Sequence, residues 1–156
     1  MNSPEDARRI VERFLAEAVT AGDSAAMEEL VAEEELKQGV AWIKEAFPDH
    51  AVIPEKLLAA DDDHVVALLR ASGTHLGPLR GARFDGQSMS GRPGRAAGVM
   101  ETIPPTGKRW EVNATALYKV EDGRISAHWI VWDWLSILEQ LGARESLARS
   151  RSRGLE

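Results

Sequence analysis

The 156-residue chain contains no cysteine, which excludes a disulfide framework and thiolate chemistry. Aromatic residues make up only 6% of it, and no apolar stretch reaches the ~18 residues of a membrane span. The 19 lysines and arginines are outnumbered by 25 aspartates and glutamates, giving a formal net charge of −6. Nucleic acids and anionic membranes attract basic proteins, so neither is expected as a partner. The acidic N-terminus does not fit a signal peptide, which predicts a cytoplasmic location.

Helical periodicity is present in the first third of the chain. Ser3 and Pro4 suit the start of a helix, whose apolar positions recur every three or four residues until Gly22 ends it. Asp23 can cap a second helix, and residues 40–47 predict a third. With 44% hydrophobic residues at this length, one domain with one core is expected.

The rest of the chain is rich in β-formers. Residues 52–59, 65–74, 110–120 and 125–133 predict four strands, and Asp122-Gly123 suits the turn of a two-residue hairpin. Helices followed by strands predict an α+β fold, with the N-terminal helices packed on one face of a curved antiparallel sheet. A final short helix is indicated by Leu135, Leu138, Leu141 and a terminating Gly142.

Residues 78–103 form a long segment rich in glycine, proline and arginine. Loops of this length are uncommon in compact domains and are usually lids, binding loops or disordered. Three interpretations stay open: a structureless insertion, a segment that steers or caps an anionic or polar substrate, and a contact with a partner subunit. The arginines concerned are Arg80, Arg83, Arg92 and Arg95.

Counting outward from a two-residue turn at Asp122-Gly123 assigns each hairpin residue to a face. Val120 then faces Ile125, and Val112 faces Asp133. One face is apolar except for Asp133, whereas His128, Ile130 and Trp132 fall on the other. On the preceding strand, His75 is in phase with the apolar positions. The predicted apolar face of the hairpin consists of Val112, Ala114, Ala116, Tyr118, Val120, Ile125, Ala127, Trp129 and Val131, with Asp133 at its end.

A carboxylate on an apolar face should have its pKa raised by desolvation, so that near neutral pH it can both take and give a proton. This predicts that Asp133 is a general acid or base. His75 would either donate a hydrogen bond to an enolate or orient Asp133. The competing interpretations are that Asp133 caps the last helix and that His75 is a satisfied core histidine. No HxH, HExxH, CxxC, GxSxG or phosphate-loop pattern is present, so dedicated metal binding, nucleophilic catalysis and nucleotide chemistry are not expected.

Five segments together resemble the SnoaL-like polyketide cyclases of the nuclear transport factor 2 and ketosteroid isomerase superfamily. They are FPDH (47–50), GTHLG (73–77), PPTGKRWEV (104–112), YKVEDGRISAHW (118–129) and DWLSILEQLG (133–142). The resemblance implies a cone-shaped α+β barrel that encloses a pocket, and a single SnoaL-like domain over residues 1–144 with 78–103 as an inserted loop. Residues 145–156 are expected to be a tail, with Leu155 and Glu156 resembling cloning remnants.

The resemblance further implies a cofactor-free and metal-free intramolecular aldol cyclisation of a hydrophobic polyketide-like substrate, in which Asp133 moves the proton and His75 lines the pocket. Related isomerases, dehydratases and epoxide-opening or ether-forming cyclases would use the same aspartate, and a non-catalytic binding or scaffold module is a further alternative. An outward Trp132 suggests a homodimer through the outer sheet face. Expected substrate-binding residues are Phe47, Trp110, Val112, Ala114, Tyr118, Trp129 and Val131.

Overall fold

The computed structural model describes residues 3–80 and 102–143, and within them it confirms the α+β fold. Arg83, Arg92 and Arg95 of the inserted segment lie outside the described residues, so the interpretations of that segment stay predictions. The helices are α1 (Pro4–Arg13), continued by a π-helical segment (Phe14–Thr20), α2 (Ser24–Leu30), α3 (Glu34–Ala46) and α4 (Trp134–Gln140). The strands are β1 (Ala51–Ala59), β2 (His64–Thr74), β3 (Arg109–Glu121) and β4 (Arg124–Trp132).

Side-chain caps start the first two helices where the sequence predicts them. Ser3 Oγ accepts the backbone N–H of Asp6 at 3.2 Å, and Asp6 in turn accepts from the N–H of Ser3, a capping box that satisfies donors at the helix start. Asp23 accepts the N–H groups of Ala25 and Ala26. The third helix, however, begins at Glu34 rather than near residue 40. Its apolar stripe is longer than expected because Leu36 is also buried.

The four strands form one antiparallel sheet in the order β1-β2-β3-β4. Burial alternates along β2 and β3, so that Val65, Leu69 and Tyr118 face the helices while their neighbours face outward. The first helix and its π-helical continuation supply Val11 and Phe14 to the shared core. The helices therefore cover one face of the sheet, and the core lies between the two layers.

A β-bulge in the hairpin of β3 and β4 makes the predicted register wrong. Val120 pairs with Ile125 as counted, but Lys119 pairs with Ala127, which leaves Ser126 as an extra residue on β4. A bulge of one residue moves every later side chain of its strand to the opposite face. Beyond the bulge the pairs are Tyr118 with His128, Ala116 with Ile130 and Ala114 with Trp132.

The bulge therefore exchanges the two faces of β4. Trp129 and Val131, predicted to line a pocket, point outward with 39% and 75% of their surface exposed. His128 and Ile130, predicted to point outward, are 1% and 8% exposed on the inner face. Trp132 is also inward and packs against the core. The prediction assumed that inward and outward side chains alternate regularly along β4. The bulge at Ser126 interrupts that alternation, so the prediction placed all five residues on the wrong face.

Candidate functional site

An apolar pocket lies between the helices and the inner face of the sheet. The aliphatic wall comes from the π-helical segment, α3 and the sheet: Leu15, Val19, Leu36, Val40, Ile43, Val52, Leu69 and Ile130. Four lining residues carry nitrogen or hydroxyl groups, namely His50, Tyr118, His128 and Trp132. An apolar cavity with a few polar groups is the usual form of a small-molecule site.

His128 and Glu33 form a buried hydrogen-bonded pair at the wall of this pocket. The Nδ1 atom of His128 lies 2.6 Å from Oε2 of Glu33, and their side chains are 1% and 15% exposed. Because a carboxylate can only accept, Nδ1 carries the proton and donates it, which leaves the lone pair of the neutral ring on Nε2. Nε2 is buried and has no partner among the described residues. This is the arrangement of an imidazole base oriented by a carboxylate.

The backbone around Glu33 shows how the fold places this carboxylate beside His128. The N–H groups of Ala32 and Glu33 both donate to the carbonyl of Ile125, at 2.8 and 3.3 Å. Arg124 donates to the carbonyl of Val31 at 2.7 Å. The segment before α3 is therefore fixed to the start of β4, three residues before His128.

His50 lies on the same pocket and is held as a neutral ring. Its Nδ1 lies 3.1 Å from the carbonyl oxygen of Ser72, so Nδ1–H donates and Nε2 keeps its lone pair. The ring is 2% exposed, and this burial lowers the pKa of His50 to about 4. It lies 5.8 Å, between centroids, from the indoles of both Trp110 and Trp132.

Trp132 and Tyr118 complete the polar groups of the pocket. The indole Nε1–H of Trp132 is buried and has no acceptor in the described part of the chain. Burial raises the pKa of the Tyr118 hydroxyl, which keeps it protonated. Tyr118 is inward through the regular alternation of β3, whereas Trp132 is inward because β4 pairs with β3 in the bulged register.

His75 is buried, in phase with the inner face of β2 as predicted, but outside the lining of this pocket. Its Nδ1 accepts the backbone N–H of Thr106 at 3.3 Å and lies 3.0 Å from Oγ1 of the same residue. The neutral ring therefore carries its proton on Nε2, which has no partner among the described residues. Burial lowers the pKa of His75, and its ring packs 5.5 Å from that of Phe47.

The predicted environment of Asp133 is wrong. Asp133 is exposed and follows the last residue of β4, where it caps α4. Its Oδ1 accepts the N–H of Ser136 at 3.0 Å, and its Oδ2 accepts the hydroxyl of Ser136 at 2.6 Å. These bonds lower the pKa of Asp133, where the sequence predicted a rise. The helix-cap interpretation describes its contacts correctly.

Of the seven predicted substrate-binding residues, Tyr118 lines the pocket. Four others are buried in the core without lining it: Phe47, Trp110, Val112 and Ala114. Trp129 and Val131 lie outside on the outer sheet face. Sequence reasoning missed Glu33, His50 and Trp132, and it placed His128 on the wrong face. His128 and Trp132 are four positions apart on β4 and so share a strand face, but Trp129 carries a ring nitrogen on the other face, and the sequence alone does not show which face is inward.

Neither a metal-ligand cluster nor a membrane-spanning helix occurs within residues 3–80 and 102–143. No group of three or more histidines, aspartates and glutamates is placed to hold a metal ion there. None of the helices in those ranges is long and apolar enough to cross a membrane.

Comparison with known proteins places the chain in a family. Residues 5–141 match the model of the SnoaL-like polyketide cyclases. TsrD from Streptomyces laurentii is 22% identical with a TM-score of 0.65, over 89% of this chain and 96% of TsrD. IdmH from Streptomyces antibioticus, a candidate polyketide cyclase, is 24% identical with a TM-score of 0.61, over 89% of this chain and 98% of IdmH.

A SnoaL-like polyketide cyclase from Agrobacterium tumefaciens strain C58 is 18% identical with a TM-score of 0.61. The match covers 91% of this chain and 100% of that protein. At these identities the solved structures establish a shared fold. A search of curated protein sequences found no significant match. The family model covers nearly the whole described chain, and so the protein belongs to the SnoaL-like polyketide cyclase family.

Proposed function

We propose that the protein catalyses a cofactor-independent, intramolecular aldol-type cyclisation of a hydrophobic polyketide-like substrate, with His128 as the general base. The observation that carries the proposal is the Glu33–His128 pair at the wall of an apolar pocket: Nδ1 makes a 2.6 Å bond, and the buried Nε2 has no partner within residues 3–80 and 102–143. The family membership supplies the substrate class.

The reaction needs one group that can take a proton and return it. Nε2 of His128 removes a proton from a carbon acidified by flanking carbonyls, and the carboxylate of Glu33 stabilises the imidazolium that forms. The resulting enolate carbon attacks a second carbonyl of the same molecule, forming a C–C bond and an alkoxide. The imidazolium returns its proton to that alkoxide, so the product is an isomer of the substrate. The aliphatic walls of the pocket exclude water and hold the two reacting parts of the substrate close together.

A second proposal for the base is Asp133, with His75 as its hydrogen-bonding helper, as the family resemblance implies. Asp133 directly follows Trp132, which lines the pocket, and the family match includes it. The related reactions of isomerases, dehydratases and epoxide-opening cyclases would also use one acid–base group. The exposure of Asp133 and the lowered pKa of its carboxyl favour His128 over it.

Asp133→Asn separates the two proposals. Asparagine caps a helix about as well as aspartate, so α4 should persist and cyclisation should fall by less than about threefold. The measurement is conversion of a panel of aromatic polyketide β-keto esters, followed by chromatography because substrate and product have equal mass. A fall of about a hundredfold or more, in the range of a lost general base, would assign the chemistry to Asp133 instead.

We also propose that the protein is a homodimer through the outer face of the sheet. The strand register aligns Leu58, Val66, Leu117 and Trp129 in one row across all four strands, and Leu58 and Trp129 are 46% and 39% exposed. Exposed apolar patches of this kind mark interaction surfaces. Sedimentation velocity should give a dimer for the unaltered protein and a monomer for Trp129→Lys. A monomer in both cases would exclude this interface.

A further inference from the structure

Two neighbouring rings on the pocket wall are not used by the proposed proton transfer. His50 follows α3 and Trp132 ends β4, and their ring centroids lie 5.8 Å apart with the planes tilted by 48°. Both rings line the pocket. His50 is additionally stacked against Trp110, 5.8 Å away at 29°, which fixes the orientation of its ring.

The two rings present opposite hydrogen-bonding functions. Nδ1–H of His50 is committed to the carbonyl of Ser72, so its Nε2 is an acceptor, and no bond to Nε2 occurs in the described part of the chain. The indole N–H of Trp132 is a donor only, and it is buried without an acceptor among the same residues. Leaving a buried donor without a partner costs free energy, which a bound ligand would recover.

We propose that His50 and Trp132 are the recognition pair of the pocket, with Nε2 of His50 accepting from a ligand hydroxyl and Nε1–H of Trp132 donating to a ligand carbonyl oxygen. The pair therefore selects ligands that carry a hydroxyl and a carbonyl on one ring-sized unit. This inference rests on the proposed function in that the same pocket holds the substrate. Burial keeps His50 uncharged near neutral pH, so its acceptor is present under those conditions.

Three small aromatic probes test the pair by isothermal titration with the full chain. 3-Hydroxyacetophenone carries both groups, 3-methylacetophenone lacks the hydroxyl, and 3-ethylphenol lacks the carbonyl oxygen. We expect the first to bind about tenfold more tightly than either of the others, as one good hydrogen bond allows. Equal affinity for all three probes in the unaltered protein overturns the proposal without any variant.

Two variants assign each preference to its residue. His50→Asn keeps a donor for Ser72, and its one acceptor, Oδ1, takes the place of a ring carbon rather than of Nε2, so the preference for the hydroxyl should disappear while the preference for the carbonyl remains. Trp132→Phe keeps an aromatic ring but removes the N–H donor. In this variant the preference for the carbonyl should disappear while the preference for the hydroxyl remains. The assignment is wrong if both variants keep both preferences. It is also wrong if His50→Asn loses the carbonyl preference and Trp132→Phe loses the hydroxyl preference.

His128→Asn separates the recognition pair from the proposed base. His128→Asn should retain both probe preferences, because His128 is not part of the recognition pair. If that variant keeps its turnover, the proposed base is wrong while the probe result stands. If turnover is lost but the probes never discriminate, the recognition pair is wrong while the base stands.

Discussion

His128→Asn should lower the cyclisation rate by about 10² to 10⁴-fold, the contribution of a positioned general base. The amide N–H₂ of asparagine replaces Nδ1–H as a donor to Glu33, so the 2.6 Å contact has a substitute and the carboxylate is not left unpaired. Only Nε2, the atom proposed to accept the substrate proton, is removed. The rate is measured as kcat/KM for the converted β-keto ester, beside thermal unfolding and near-UV circular dichroism to establish that the fold is intact.

Two further variants make this result specific. Glu33→Gln should also reduce the rate, but less than His128→Asn, because the imidazolium loses the carboxylate that stabilises it while Nε2 is kept. His64→Asn changes the histidine at the first position of β2, whose ring pairs with Asp61, and should leave the rate unaltered. If His128→Asn retains a tenth or more of the original rate, the base lies elsewhere.

The elements of this fold could be predicted because their signals are local. The cap at Ser3, the stop at Gly22 and the turn at Asp122-Gly123 each act within a few residues, and each lies where the sequence predicts it. Asp122 and Gly123 both have positive φ, at 50° and 74°, as the predicted hairpin turn requires. The helix cap at Asp133 is a local signal as well, because its partner, Ser136, is only three residues further along the chain.

The site could not be predicted in the same way because it depends on one unpaired residue. Counting assumes regular alternation, and nothing in the letters around Ser126 marks a bulge. Its stabilisation is visible only in three dimensions, where Ser126 Oγ donates to Glu121 at 2.6 Å and the chain before α3 bonds to Ile125. A single missed residue was therefore enough to put His128 outside and Val131 inside.

The partner of His128 lies beyond any local pattern as well. Glu33 is 95 positions away, and its surroundings in the sequence are a run of acids typical of a solvated helix start. Only the contact between the start of α3 and β4 shows that one of these carboxylates is largely buried and faces an imidazole. The fold class follows from periodicity, whereas the chemistry follows from which strand face meets which helix end.

His50 should make the protein lose about 3 kcal/mol of unfolding free energy between pH 7 and pH 4. Its pKa is about 4 in the fold, against 6.5 for an ordinary histidine, because burial disfavours the charged ring. Between these two values the unfolded chain binds more protons than the folded one, so stability falls as the pH falls through this window. Above about pH 6.5 the contribution is constant. The lowered pKa of His75 acts in the same direction.

His50→Asn isolates this effect, because asparagine does not titrate and can still donate to the carbonyl of Ser72. Urea unfolding at pH 7, 5.5 and 4 should show a stability that falls less steeply for the variant than for the unaltered protein, by about 3 kcal/mol over the whole range. Parallel pH profiles for His50→Asn and the unaltered protein would mean that His50 is not buried as a neutral ring, and the acceptor assigned to its Nε2 would then be lost with it.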